Sequence, residues 1–202
     1  MKNFELFIAT KNIGKIREIE DLLAGLPVTL RNAAEFTDII EPEETGETFA
    51  DNAILKAVYY AQKTGILALA DDSGLEVAAL QGKPGVFSAR YGGADATNEE
   101  KIAKLLNELQ QTDDKSRLAR FVCSMAVADC KGEVKFLTEG ICQGEIAYFP
   151  KGNNGFGYDP IFIPEGFSET FGELSGEIKR QISHRSRAIE KIIRYLHDLI
   201  SA

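Results

Sequence analysis

Two aspartates stand side by side in Ala70-Asp71-Asp72-Ser73-Gly74, directly after the apolar run 66–70. Carboxylates at the end of a buried strand lie where ligands of open α/β sheets bind. Two like charges there are costly without a cation. Magnesium, which takes a few carboxylates together with phosphate oxygens, would answer that need; a pair of turn formers is the plain alternative. Glu44 matters in their company, whereas Glu43 and Glu47 read as acids favouring the dipole of the helix that follows, which brings up Asn52 and Lys56 on its next turns.

Four further stretches carry polar chemistry. Thr10-Lys11-Asn12-Ile13-Gly14-Lys15 puts small donors and a cation at a strand-to-helix junction, which suits a phosphate cradle and equally a capped helix; the Walker A spacing is absent. Residues 152–160 are rich in glycine and asparagine around Phe156, Gly157, Tyr158 and Asp159. Read structurally they close a hairpin; read functionally they let a base lie against an aromatic face, with Asp159 as acceptor. Lys179 and Ser183 are one helical turn apart and lead into His184 and Arg185. In residues 84–91 the alternatives are a loop around a buried Arg90 and a phosphate-facing role.

These residues need elements to hold them. Residues 4–9 read as a strand, and Ile16, Ile19, Leu22, Leu23 and Leu26 follow at helical spacing with Asn12 as N-cap. A second helix starts at Thr48, with Asp51 completing a capping box, and ends at Gly65; a third follows Thr97. Residues 120–128, 133–138 and 140–147 predict a meander of hairpins turning at 129–132, residues 156–163 a further strand-like stretch, and residues 185–200 a C-terminal helix. The pattern is α/β with a mixed sheet, in two lobes about a substrate cleft, over one domain spanning 1–202.

Composition narrows the function classes. A net charge of -8, from 23 Lys and Arg against 31 Asp and Glu, and no basic stripe, argue against nucleic acid and membrane surfaces as partners. No run approaches the ~18 apolar residues of a membrane span, and the N-terminus lacks a signal-peptide pattern, so a cytoplasmic protein is expected. Cys123, Cys130 and Cys142 are odd in number and lack metal spacing, which predicts buried free thiols.

Taken in order, the T-x-N-x-x-K opening, Glu44 to Ala57 (ETGETFADNAILKA), Ala70 to Leu75 (ADDSGL), Pro84 to Tyr91 (PGVFSARY), Gly155 to Phe162 (GFGYDPIF) and Ser183 to Arg185 (SHR) resemble the inosine triphosphate pyrophosphatase family over nearly the whole chain. The Maf-type pyrophosphatases share the opening loop but not ADDSGL or GFGYDP. The resemblance implies a two-lobed α/β homodimer with a central cleft. It also implies magnesium-aided hydrolysis of non-standard purine nucleoside triphosphates to monophosphate and pyrophosphate. By the same resemblance Asp72 is the catalytic proton acceptor and a metal ligand, with Glu44 and Asp71 near the metal. Thr10, Lys11, Asn12, Ile13, Gly14, Lys15, Lys56 and Ser73 would hold phosphates. Phe156, Gly157, Tyr158, Asp159, Lys179, His184 and Arg185 would hold the base and its neighbouring groups.

Overall fold

The computed structural model describes residues 4–36 and 38–201. Among these residues, alternating and continuous apolar runs build six strands: β1 (Phe4–Ile8), β2 (Val28–Asn32), β3 (Leu67–Val77), β4 (Leu118–Ala128), β5 (Val134–Ile146) and β6 (Phe162–Pro164). They form one sheet in the order β2-β1-β3-β4-β5-β6. β1 runs parallel to β2 (Phe4 opposite Val28) and to β3 (Leu6 opposite Leu67), while β5 and β6 are antiparallel (Gly144 opposite Pro164), so the sheet is mixed.

Among the described residues five α-helices accompany it: α1 (Ile13–Leu23), α2 (Phe49–Thr64), α3 (Asn98–Gln111), α4 (Gly176–Ile182) and α5 (His184–Ser201). Their ends follow local chemistry. Asn12 caps α1 by accepting the Lys15 N–H, Thr48 and Asp51 form the capping box of α2, and Thr97 and Glu100 form that of α3. Gly65 closes α2 in the left-handed region (φ 73°), donating its N–H to the Ala61 carbonyl.

The chain separates into two compact units. Unit 1 comprises residues 1–72, 123–140 and 185–202; unit 2 comprises residues 73–122 and 141–184. In unit 1, β3 and β4 divide their side chains between two cores. Leu69, Cys123, Met125 and Val127 pack with Ile19 and Leu23 of α1 and Ala188, Ile189, Ile192 and Leu196 of α5. Ala68, Ala70, Ala126 and Ala128 pack with Ala53, Ala57, Tyr60 and Ala61 of α2. Strand alternation is the cause: even positions face α2, odd positions face α1 and α5. Unit 2 has its own core, in which Leu75 and Val77 meet Leu105 and Leu109 of α3 and the aromatic group Phe121, Phe162 and Phe171.

The structure corrects several of the sequence expectations. β3 does not stop before the aspartates but runs through them, because Leu75 and Val77 beyond them are buried in unit 2. The two strands expected over 133–147 are a single β5, since Gly140 sits inside a paired strand. Residues 156–163 are mostly turn and a 3-10 segment (Asp159–Ile161) around Pro160, leaving β6 only three residues. Leu199, which its helical spacing from Ile192 and Leu196 would turn inward on α5, is 39% exposed. Cys123 and Cys142 are buried thiols as expected, but Cys130 is exposed on the turn after β4.

Candidate active site

In unit 1 the adjacent aspartates have different surroundings because neighbouring residues on a strand point to opposite faces. Asp72, on the α2 face, receives Asn52 Nδ2 at 3.1 Å and Lys56 Nζ at 3.3 Å. Lys56 Nζ also lies 2.6 Å from Glu44 Oε1, so one ammonium joins the two carboxylates. Asn52 and Lys56 are four apart on α2 and therefore share a face. The Gly46 N–H donates to Asn52 Oδ1 at 2.7 Å, and a Cβ at Gly46 would lie 2.7 Å from that same oxygen. Glycine thus lets the Glu44 loop close against the helix. Asn52, completely buried, orients Asp72; sequence reasoning noted its turn but gave it no role. Its signal was a carboxamide one turn before Lys56 on a face otherwise built of alanines and aromatic residues.

Asp71, on the α1 and α5 face, is inaccessible. Its Oδ2 takes Lys15 Nζ at 3.1 Å and Arg185 Nη2 at 3.0 Å, with Cys123 Sγ at 3.9 Å. Arg185 also pairs with Glu18 of α1. Strand alternation points Asp71 away from Asp72 and Glu44, and Lys15 and Arg185 already pair with it.

The electrostatics separate the two further. Burial alone would push the Asp71 carboxyl up, but Lys15, Arg185 and Lys56 together hold it far below the usual range. Burial raises the Asp72 carboxyl, Lys56 and Lys15 offset this only in part, and Glu44 and Asp71 add to the rise. Lys56 itself, despite burial, is held at about 12 by Asp72, Asp71 and Glu44. Burial and the neighbouring Asp71 push the Cys123 thiol up to about 12, so it remains neutral. The environment thus holds Asp71 as a charge and shifts the Asp72 carboxyl the other way, above the usual range.

The opening loop builds itself from its own side chains. Thr10 Oγ1 accepts the Asn12 N–H at 3.2 Å and Asn12 Oδ1 accepts the Lys15 N–H at 3.2 Å. Lys11 and Ile13 are exposed, Gly14 and Lys15 half-buried. Ser73 follows Asp72 on β3 and is half-buried.

In unit 2, Asp159 is buried and its Oδ2 accepts both the Phe156 N–H at 2.7 Å and Lys179 Nζ at 2.6 Å. The Lys179 ammonium stands 4.8 Å from the centre of the Phe156 ring and 5.7 Å from that of Phe171. Gly155 and Gly157 have φ of 73° and 62°, and a Cβ at Gly155 would fall 1.9 Å from the Asp159 carboxylate, so glycine is required there. Tyr158 is core, donating its hydroxyl to the Ser88 carbonyl at 3.0 Å. Ser183 closes α4 through its N–H to Lys179 O. His184 stacks on Phe121, ring centres 4.7 Å apart. Arg90 is exposed over the Phe87 ring rather than buried.

Fold and centre together define the class, a mixed α/β protein with a buried carboxylate–ammonium centre seated on an inner strand of its sheet. Within that class, residues 6–195 match the model of the Ham1 family, and the chain belongs to that family. It is 44% identical over 189 residues to a dITP/XTP pyrophosphatase of Bacillus anthracis, covering 93% of this chain and 94% of that protein. To a dITP/XTP pyrophosphatase of Desulforamulus reducens it is 46% identical, covering 96% of each. The solved structure of a HAM1 protein from Coxiella burnetii matches with a TM-score of 0.90 at 43% identity, over 96% of this chain and 99% of that one.

Proposed function

We propose that this protein hydrolyses non-standard purine nucleoside triphosphates, those of inosine, deoxyinosine and xanthosine, to the monophosphate and pyrophosphate. The observation that carries the reading is the centre in which Glu44 and Asp72 converge on Lys56 while Asn52 orients Asp72, in a chain whose relatives are named dITP/XTP pyrophosphatases. Removing such nucleotides keeps deaminated purines out of DNA and RNA.

The residues fit magnesium. Among the described residues no group of three or more His, Cys, Asp or Glu side chains could cage a metal. Magnesium does not need one, since it is typically held by one or two carboxylates with water and substrate phosphates. Glu44 and Asp72 are such a pair. Bound there, the ion would neutralise phosphate charge and polarise the bond to the leaving pyrophosphate. Asp72, with its raised pKa, accepts the proton of the attacking water as the new phosphorus–oxygen bond forms and the anhydride bond to pyrophosphate breaks. Lys56, Lys15 and the N–H groups at the start of α1 offset the charge that grows on the phosphate oxygens.

On unit 2, the Phe156 ring offers a stacking face for a purine and Asp159 fixes Lys179 beside it. Hypoxanthine and xanthine present a carbonyl where adenine presents an amino group. His184 is assigned as the donor to that carbonyl; Arg185, bonded to Asp71 and Glu18, is assigned to anchoring the residue next to it. Facing a donor with a donor can separate substrates by up to ~10⁴–10⁵. The same reading makes the protein a cytoplasmic homodimer, which light scattering of the purified chain checks for assembly.

The test is pyrophosphate release from inosine, xanthosine, guanosine and adenosine triphosphates, with magnesium and with chelator. Fast magnesium-dependent cleavage of the first two is expected; cleavage of none, or equal cleavage of all four, would sink the reading.

A further inference from the structure

We infer that Lys56 is an internal counter-ion that a divalent cation must displace, so that the cation enters the acid pair together with the nucleotide and not ahead of it. This rests on the proposal that Glu44 and Asp72 hold the cation. The geometry is direct. The two carboxylates meet at a single point, and the Lys56 ammonium stands there, 2.6 Å from Glu44 Oε1 and 3.3 Å from Asp72 Oδ1, on a residue only 3% exposed.

The charge count explains why this opposes early entry. Two carboxylates and one ammonium sum to -1, so a divalent ion meets half the negative charge that the bare pair would offer, with an ammonium repelling it at close range. A triphosphate reverses the balance. Its oxygens supply acceptors to which the ammonium can turn, and the pair is released to the cation. Asp72 is prepared for the exchange, because its other oxygen is held by Asn52, which is itself fixed by the Gly46 N–H. The carboxylate therefore keeps its direction when the ammonium leaves. Lys63, exposed in the last turn of the same helix, is the natural contrast.

The experiment is a titration with Mn²⁺ alone, followed by electron paramagnetic resonance, on the full nucleotide-free chain. Lys56→Met is expected to bind Mn²⁺ at least ~10-fold more tightly than the unsubstituted protein, and Lys63→Met within ~3-fold of it. Equal binding in Lys56→Met and the unsubstituted protein, or equal tightening in both lysine variants, overturns the inference. Adding Asp72→Asn to Lys56→Met separates the two layers. Binding that then persists unchanged rejects the acid pair as the cation site, and with it the parent reading. Should Lys56→Met not fold, the unsubstituted protein decides. Mn²⁺ that binds as tightly without a non-hydrolysable inosine triphosphate analogue as with it overturns the order of entry; binding that appears only with the analogue upholds it.

Discussion

Asp71 and Asp72 are the same residue type and adjacent in the chain, yet their replacement by asparagine should affect stability differently. Asp71→Asn leaves Lys15, Arg185 and the Arg185–Glu18 pair without their central charge, in a place water does not reach. Breaking a buried pair in this way typically costs about 3–5 kcal/mol. Asp72→Asn removes a charge whose pKa is raised, one that the fold bears at a cost. It should leave stability unchanged or higher, while turnover falls by ~10²–10⁴. Urea unfolding and pyrophosphate release on the two variants check both signs. The pH profile follows from linkage. The Asp71 pKa in the fold is depressed, so its contribution is complete above the ordinary carboxylate value of about 3.9 and is lost as pH falls towards the folded value, because the unfolded chain takes the proton first. Asp72 acts the other way, its folded form taking the proton at higher pH than the unfolded chain. Below about pH 4 the unfolding midpoint should drop, and Asp71→Asn should flatten that drop.

At the scale of elements, α2 and α3 have equivalent caps and different loads. Thr48→Ala and Thr97→Ala each remove a capping box and should each cost about 1 kcal/mol. Only α2 carries Asn52 and Lys56 in its early turns, so Thr48→Ala should also lower kcat/KM and Thr97→Ala should not; equal kinetics in the two would argue that α2 positions neither residue. Thr48 with Asp51, Gly65, and the start of α3 at Thr97 were readable in the sequence, because caps act on their own backbone a few residues away; the partner of Thr97, Glu100, emerged only with the structure. The extent of β3 was not. Hydropathy breaks at Asp71-Asp72-Ser73, and what carries the strand onward is burial of Leu75 and Val77 against residues distant in sequence. The roles of the acids were hidden for the same reason, since Lys15, Lys56 and Arg185 come from three separate segments. Motif order pointed to Asp72, Glu44 and Lys56, but only the strand's alternation separates Asp71 from them. Likewise the backbone N–H that Asp159 holds, at Phe156, is local and legible in principle, whereas its partner Lys179 is twenty residues on.

At the scale of the whole molecule, neither unit is a continuous piece of chain. Unit 1 draws on three segments and unit 2 on two, with the exchanges falling at 72/73, 122/123, 140/141 and 184/185. A fragment of residues 1–122 would lack the half of β4 that packs on α5, and α5 itself, leaving Leu6, Ile8, Ile19 and Leu69 without their cover. Such a fragment should not fold, showing neither cooperative thermal unfolding nor dispersed amide resonances; a cooperatively folded fragment would mean that the core of unit 1 does not need α5.

The placement of the thiols has a practical side. Cys123 and Cys142 are closed off inside the two units, whereas Cys130 sits exposed at the tip of the turn between β4 and β5. A maleimide dye or a surface tether should therefore attach at that one position. The native chain carries its own handle for fluorescence and immobilisation, with no cysteine to remove and none to add.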